Sequence, residues 1–136
     1  MWIDSEAPMT DIEKAWTHLA SVTTVPKWDK PNGAIDEQVL FMTTCMETWL
    51  IADRATLKQH YGEKLQETAL LSLTDLEKRD RHAVQNAIIN ATRKCSNAFK
   101  KGERSYEVLG KLNPAELNSL PSFARVATIL KKKLKA

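Results

Sequence analysis

Asp4, Glu6 and Glu47 are the residues whose types and placement could do chemistry in this chain. The opening stretch "MWIDSEAP" sets two good strand formers, Trp2 and Ile3, directly before Asp4 and Glu6, which would point to the same side of a strand. Glu47 follows a second uncharged stretch within "EQVLFMTTCMETW". Three carboxylates brought together form a hard, oxygen-rich site of the kind that holds Mg²⁺ or Mn²⁺. A metal so held orients a phosphodiester and stabilises the charge on a departing oxygen; Glu47 is the candidate catalytic residue of such a site. Lys100, Lys101 and Arg104, within "RKCSNAFKKGER", are the matching cations for a phosphate or nucleic-acid backbone. Each feature has a plainer reading: surface acids for Asp4 and Glu6, a first-turn acid favouring the helix dipole for Glu47, a solvated helix end for the basic run.

These residues need strands and helices to bring them together. Thr10 with Glu13 fits a capping box, and Ile12, Ala15, Trp16 and Leu19 follow at helical spacing, so a helix is expected over 10–20. "VTTVPKWDKPNGAID" carries two prolines and a glycine and reads as a loop, with Trp28 anchoring it to the body. Residues 37–46 fit a buried strand, or a helix with Leu40, Thr44 and Glu47 on one face; the strand, passing into a helix near Glu47, is preferred. Asp53 is placed to cap a further short helix and Gly62 to stop it. Arg81 to Cys95 forms a helix burying Ala83, Val84, Ala87, Ile88 and Ala91; Asn113 caps a segment led by Pro114. The last helix begins near Pro121 and shows Phe123, Val126, Ala127, Leu130 and Leu134 on one stripe. Two strands joined through a helix are parallel with a right-handed connection, and ligands gather at their carboxyl ends, where Asp4, Glu6 and Glu47 would stand.

Composition narrows the class. The chain has 136 residues, enough for one domain with a real core, and only four glycines and five prolines, which favours helix over a β-sandwich. Two cysteines are too few for a disulfide framework and read as reduced thiols. No run reaches the length of a membrane span and nothing at the front resembles a signal peptide, so a cytoplasmic protein without membrane attachment is expected. His18, His60 and His82 lie far apart and do not spell a zinc site; no phosphate-binding loop or dinucleotide fingerprint is present. Trp16, Trp28 and Trp49 are read as core rather than stacking platforms.

Several stretches together, "IDSEAP", "WDKPNGAIDEQVLFMTTCMETWLIAD", "KKGERSYEVLGKLNP" and "SLPSFAR", resemble the bacterial domain-of-unknown-function family numbered four-two-seven-six. The resemblance runs over essentially the whole chain, and "CMETWLIAD" is its most specific piece. It implies an α/β, helix-rich fold: an incomplete Toprim-like parallel sheet with flanking helices. It further implies metal-dependent, nuclease-type phosphoryl transfer in phage or plasmid defence, with an ATPase partner. Asp4 and Glu6 fall on the family's second acidic motif, Glu47 and Asp53 on the Met-Glu-x-Trp motif, and Lys101, Gly102 and Arg104 on the basic segment. Family members carry a strand-helix portion with a glutamate-glycine motif ahead of the Asp-Ser-Glu strand. The resemblance therefore implies that residues 1–136 are the C-terminal part of the family's domain. Impaired activity and self-association through an exposed sheet edge are expected to follow, and the alternative is a non-catalytic module that binds an ATPase partner or nucleic acid.

Overall fold

Asp4 is the last residue of the first strand, and the strand beside it sets its surroundings. The structure, a computed structural model, describes residues 1–21 and 28–135. Strand β1 (Trp2–Asp4) pairs in parallel with β2 (Leu40–Met42), with Trp2 opposite Leu40, Ile3 opposite Phe41 and Asp4 opposite Met42. The chain is thus helix-rich α/β, with a two-stranded parallel sheet among the described residues. β2 is shorter than the stretch 37–46 because both ends are taken by other structure. Asp36–Gln38 winds into a 3-10 turn, with Gln38 Oε1 accepting from the Ile35 amide at 2.9 Å. At the other end the Thr44 amide donates to Thr48 Oγ1 at 3.2 Å, on the approach to α2.

Helix α1 (Ala15–Ser21) starts five residues later than the capping box at Thr10 suggests. Asp11 takes over the local turn, its carboxylate accepting from the Glu13 amide at 2.9 Å and its carbonyl from the Lys14 amide at 3.1 Å. The Trp16 amide is instead capped from a distance, by Asp36 Oδ1 at 2.9 Å. Ala15 and Leu19, one turn apart, bury against Val39 and Phe41 with Ile3 beside them, forming a small cluster on one face of the sheet. Period-two alternation turns Trp2 and Asp4 to the other face, where the larger cluster lies.

Helix α2 (Met46–Ala52) is buried along its whole length and is the centre of that cluster. Asp53 ends it and caps α3 (Arg54–Tyr61), and Gly62, at φ 78°, stops α3, both as expected. Helix α4 (Arg81–Thr92) buries Val84, Ala87, Ile88 and Ala91 while Ala83 lies at the boundary; Asp80 caps it. Helix α5 (Glu103–Leu109) follows Gly102, whose φ of 103° lets the chain turn sharply out of the basic segment. Asn113 caps a 3-10 turn at Pro114–Ser119, its Oδ1 accepting from the Ala115 amide at 3.1 Å.

Helix α6 (Pro121–Leu134) corrects one expectation. Its buried face is Ser122, Arg125, Val126 and Ile129, rotated from the apolar stripe. Arg125 can be buried because its guanidinium donates to the carbonyls of Val39 (3.1 Å) and Asp36 (3.0 Å) and meets Glu13 at 3.3 Å. The Glu77 carboxylate accepts from the Ser122 amide at 2.8 Å and fixes the start of the helix. Phe123, Ala127, Leu130 and Leu134 are consequently left on a partly open side, with Leu134 85% exposed. Among the tryptophans Trp49 is core as expected, Trp16 is half-buried, and Trp28 is 40% exposed and tied to α1 by its amide, 3.5 Å from the Leu19 carbonyl. No helix among the described residues is long and apolar enough to cross a membrane.

Candidate acidic site at the strand ends

The carboxyl end of β1 is pinned from three sides. The Ser5 amide donates to the Met42 carbonyl at 3.2 Å and the Glu6 amide to the Thr44 carbonyl at 2.8 Å. Ser5, almost fully buried, donates its hydroxyl to the Ala7 carbonyl at 2.8 Å. The Ser5 carbonyl lies 2.7 Å from His18 Nε2, and since a carbonyl only accepts, Nε2 carries the proton. His18 thus serves as a strap between α1 and the strand end. Glu6 adopts a left-handed backbone, φ 65°, uncommon for a residue with a Cβ and held here by the Thr44 bond.

Asp4 and Glu47 line one cavity of about 440 Å³, together with Lys101, Ser105 and Tyr106. Glu47 reaches it from the first turn of α2 and is 1% exposed. Its Oε1 and Asp4 Oδ1 are buried without a hydrogen-bond partner among the described residues. A buried carboxylate oxygen left unpaired is costly, and these two belong to residues that line this one cavity. Burial pushes the Asp4 carboxyl up to about 6, with Glu47 and then Glu6 adding to the rise; Lys101 and the Met46 amide pull the other way. Burial, followed by the charge of Glu47, also pushes the neighbouring Cys45 thiol up to about 11.

Glu6 is handled differently. Its carboxylate is held by the guanidinium of Arg81, from the first turn of α4, and it lines a neighbouring cavity of about 370 Å³ with Asp4, Ile3 and Trp28. Among the described residues no group of three His, Cys, Asp or Glu side chains is spaced to hold a metal ion. Asp4 and Glu47 are the two carboxylates that line this cavity; Mg²⁺ commonly makes do with one or two carboxylates and keeps several waters. Of the basic residues, Lys101 stands at the cavity, whereas Lys100 and Arg104 lie on the exposed surface beside it, Arg104 Nη1 3.5 Å from the Ala98 carbonyl.

Arg81, Ser105 and Tyr106 were not among the residues that the sequence singled out. Arg81 lies 75 positions from the acid that it holds, so no local spacing announces it. Ser105 and Tyr106 follow the basic segment directly, and the turn at Gly102 is the one local signal that the chain there bends toward a site. No protein-family model, curated protein or solved structure matches the chain.

Proposed function

We propose that the cavity between Asp4 and Glu47 takes a divalent cation, Mg²⁺ or Mn²⁺, and that the chain acts in metal-dependent phosphoryl transfer of nuclease type. The observation that carries this is the meeting of Asp4 and Glu47 at one cavity with Lys101, each carboxylate keeping a buried oxygen, Asp4 Oδ1 and Glu47 Oε1, without a hydrogen-bond partner among the described residues. The cation, when bound, supplies charge stabilisation at a phosphate oxygen. Asp4 and Glu47 hold it, and Lys101 offers a point charge to the phosphate; Lys100 and Arg104 draw in the nucleic-acid backbone. Glu6, engaged by Arg81, serves to shape the strand end rather than to complete the donor set. The resemblance to a Toprim-like family points to the same chemistry, and an ATPase partner in phage or plasmid defence belongs to this reading.

A second reading, a binding module without chemistry, is favoured by the apolar side of α6 that the fold leaves partly open. Two variants separate the readings in an assay of Mn²⁺-dependent cleavage and of binding to single- and double-stranded nucleic acid. Glu47→Gln should abolish cleavage and spare binding, and charge reversal at Lys100, Lys101 and Arg104 should weaken both. Binding without any metal-dependent cleavage by the unaltered chain would contradict the enzymatic reading.

A further inference from the structure

Among the described residues no strand pairs with the outer edge of β1. Toward β2, the Met1 carbonyl accepts from the Leu40 amide at 2.8 Å and the Ser5 amide donates to Met42 at 3.2 Å. In a parallel ladder the residues between them, Trp2 and Asp4, turn their amides and carbonyls to the opposite side, where no strand lies among the described residues. A groove of about 370 Å³ at the strand's carboxyl end is lined by Ile3, Asp4, Ser5 and Glu6 together with Leu19, Trp28 and Met42. Beside the strand's front end lies a cleft of about 550 Å³ walled by apolar side chains, with Trp2, Trp49, Leu112, Phe123 and Leu130 among them. Trp2 is 47% and Leu130 40% exposed there, although Trp2 and Phe123 both stack edge-on against Trp49 at 5.5 and 5.2 Å.

We propose that this edge is a docking site for an extended segment of a partner polypeptide, apolar beside Trp2 and basic beside Asp4. Only a peptide backbone answers the outward amides and carbonyls of Trp2 and Asp4; an apolar small molecule would fill the cleft and leave them unpaired. Side chains two apart on the added strand share the face of Trp2 and Asp4. One lies toward the apolar cleft, and the next toward the half-buried carboxylate of Asp4, with Glu6 close by and Lys101 the cation at the adjoining cavity. A second copy of this chain is the poorer occupant, because its own edge strand, Trp2–Asp4, brings no basic side chain to answer Asp4.

The surface does not depend on the cation reading, and its test is run with a chelator present so that no divalent metal answers Asp4. The probes are blocked synthetic octapeptides of valine and leucine with one lysine, placed toward either end so that both strand directions are represented. Residue-resolved amide exchange and tryptophan emission are the readouts. One lysine peptide should slow exchange at the Trp2 and Asp4 amides at least tenfold and shift the emission. Its glutamate counterpart should bind at least tenfold more weakly, and a version N-methylated on alternate residues should not bind. Four results would overturn the proposal: no binding by either lysine peptide, equal binding of the N-methylated form, protection of both amides in the free monomer, or protection that grows with protein concentration as a dimer sediments.

Discussion

Replacing Asp4 by asparagine should stabilise the chain at neutral pH while removing the cation binding proposed for it. The Asp4 carboxyl is raised from an ordinary 3.8 to about 6, by burial first and then by the charges of Glu47 and Glu6. A group that binds its proton more tightly in the folded chain favours folding at low pH; that advantage fades as pH rises from 3.8 to about 6, and above this the folded state carries the full penalty. At about 1.4 kcal/mol per pH unit the difference amounts to about 3 kcal/mol. Asp4 is partly reached by solvent, which reduces the expected gain to about 1–2 kcal/mol. Urea unfolding followed by circular dichroism, for both proteins across a pH series, measures it. Asp4→Asn should be the more stable protein above about pH 6, and the gap should close toward about pH 4. A variant no more stable than the parent at neutral pH, or a gap that does not change with pH, would refute the reasoning that this carboxylate is held ionised at the expense of the fold.

Asp53 should behave in the opposite sense. Burial alone would raise its pKa, but hydrogen bonds from the Asn113 amide (2.8 Å), the Thr56 hydroxyl (2.7 Å) and the Thr56 amide (3.1 Å) outweigh it and hold the carboxyl below its usual range. The stability it contributes is present above pH 3.8 and is lost as pH falls through the lowered folded value. Asp53→Ala removes a helix cap and strands the Asn113 amide, costing about 2–4 kcal/mol in the same unfolding assay. Cys45 and Cys95 are free and buried, and burial raises both thiols, Cys45 to about 11. Neither should react with a thiol reagent in the native protein at neutral pH, and both should react in urea; rapid native labelling would show that the core around α2 opens readily.

Much of the framework was legible because its signals are local. The strand formers before Asp4, the Asp53 cap, the Gly62 stop, the Asn113-Pro114 start and the apolar spacing of α4 all act within a few residues. The parallel pairing of β1 with β2 followed from the helix between them. Misplaced features are those fixed by distant partners. Thr10 and Glu13 form a plausible cap, but Asp36 supplies the acceptor at Trp16 from twenty residues away. The stripe on α6 is apolar, yet Arg125 turns inward because carbonyls of Val39 and Asp36 await it. Asp4, Glu47 and Lys101 line one cavity. Glu6 stands at the neighbouring cavity, where Arg81, invisible in any local pattern, holds it.

Whether Asp4 and Glu47 together hold a divalent cation is read by titration calorimetry with Mn²⁺ and Mg²⁺. One ion should bind per chain, and its binding should be lost in Asp4→Asn and in Glu47→Gln and kept in Arg81→Gln. Absence of binding at millimolar metal, or binding unchanged in both carboxylate variants, would contradict the proposal.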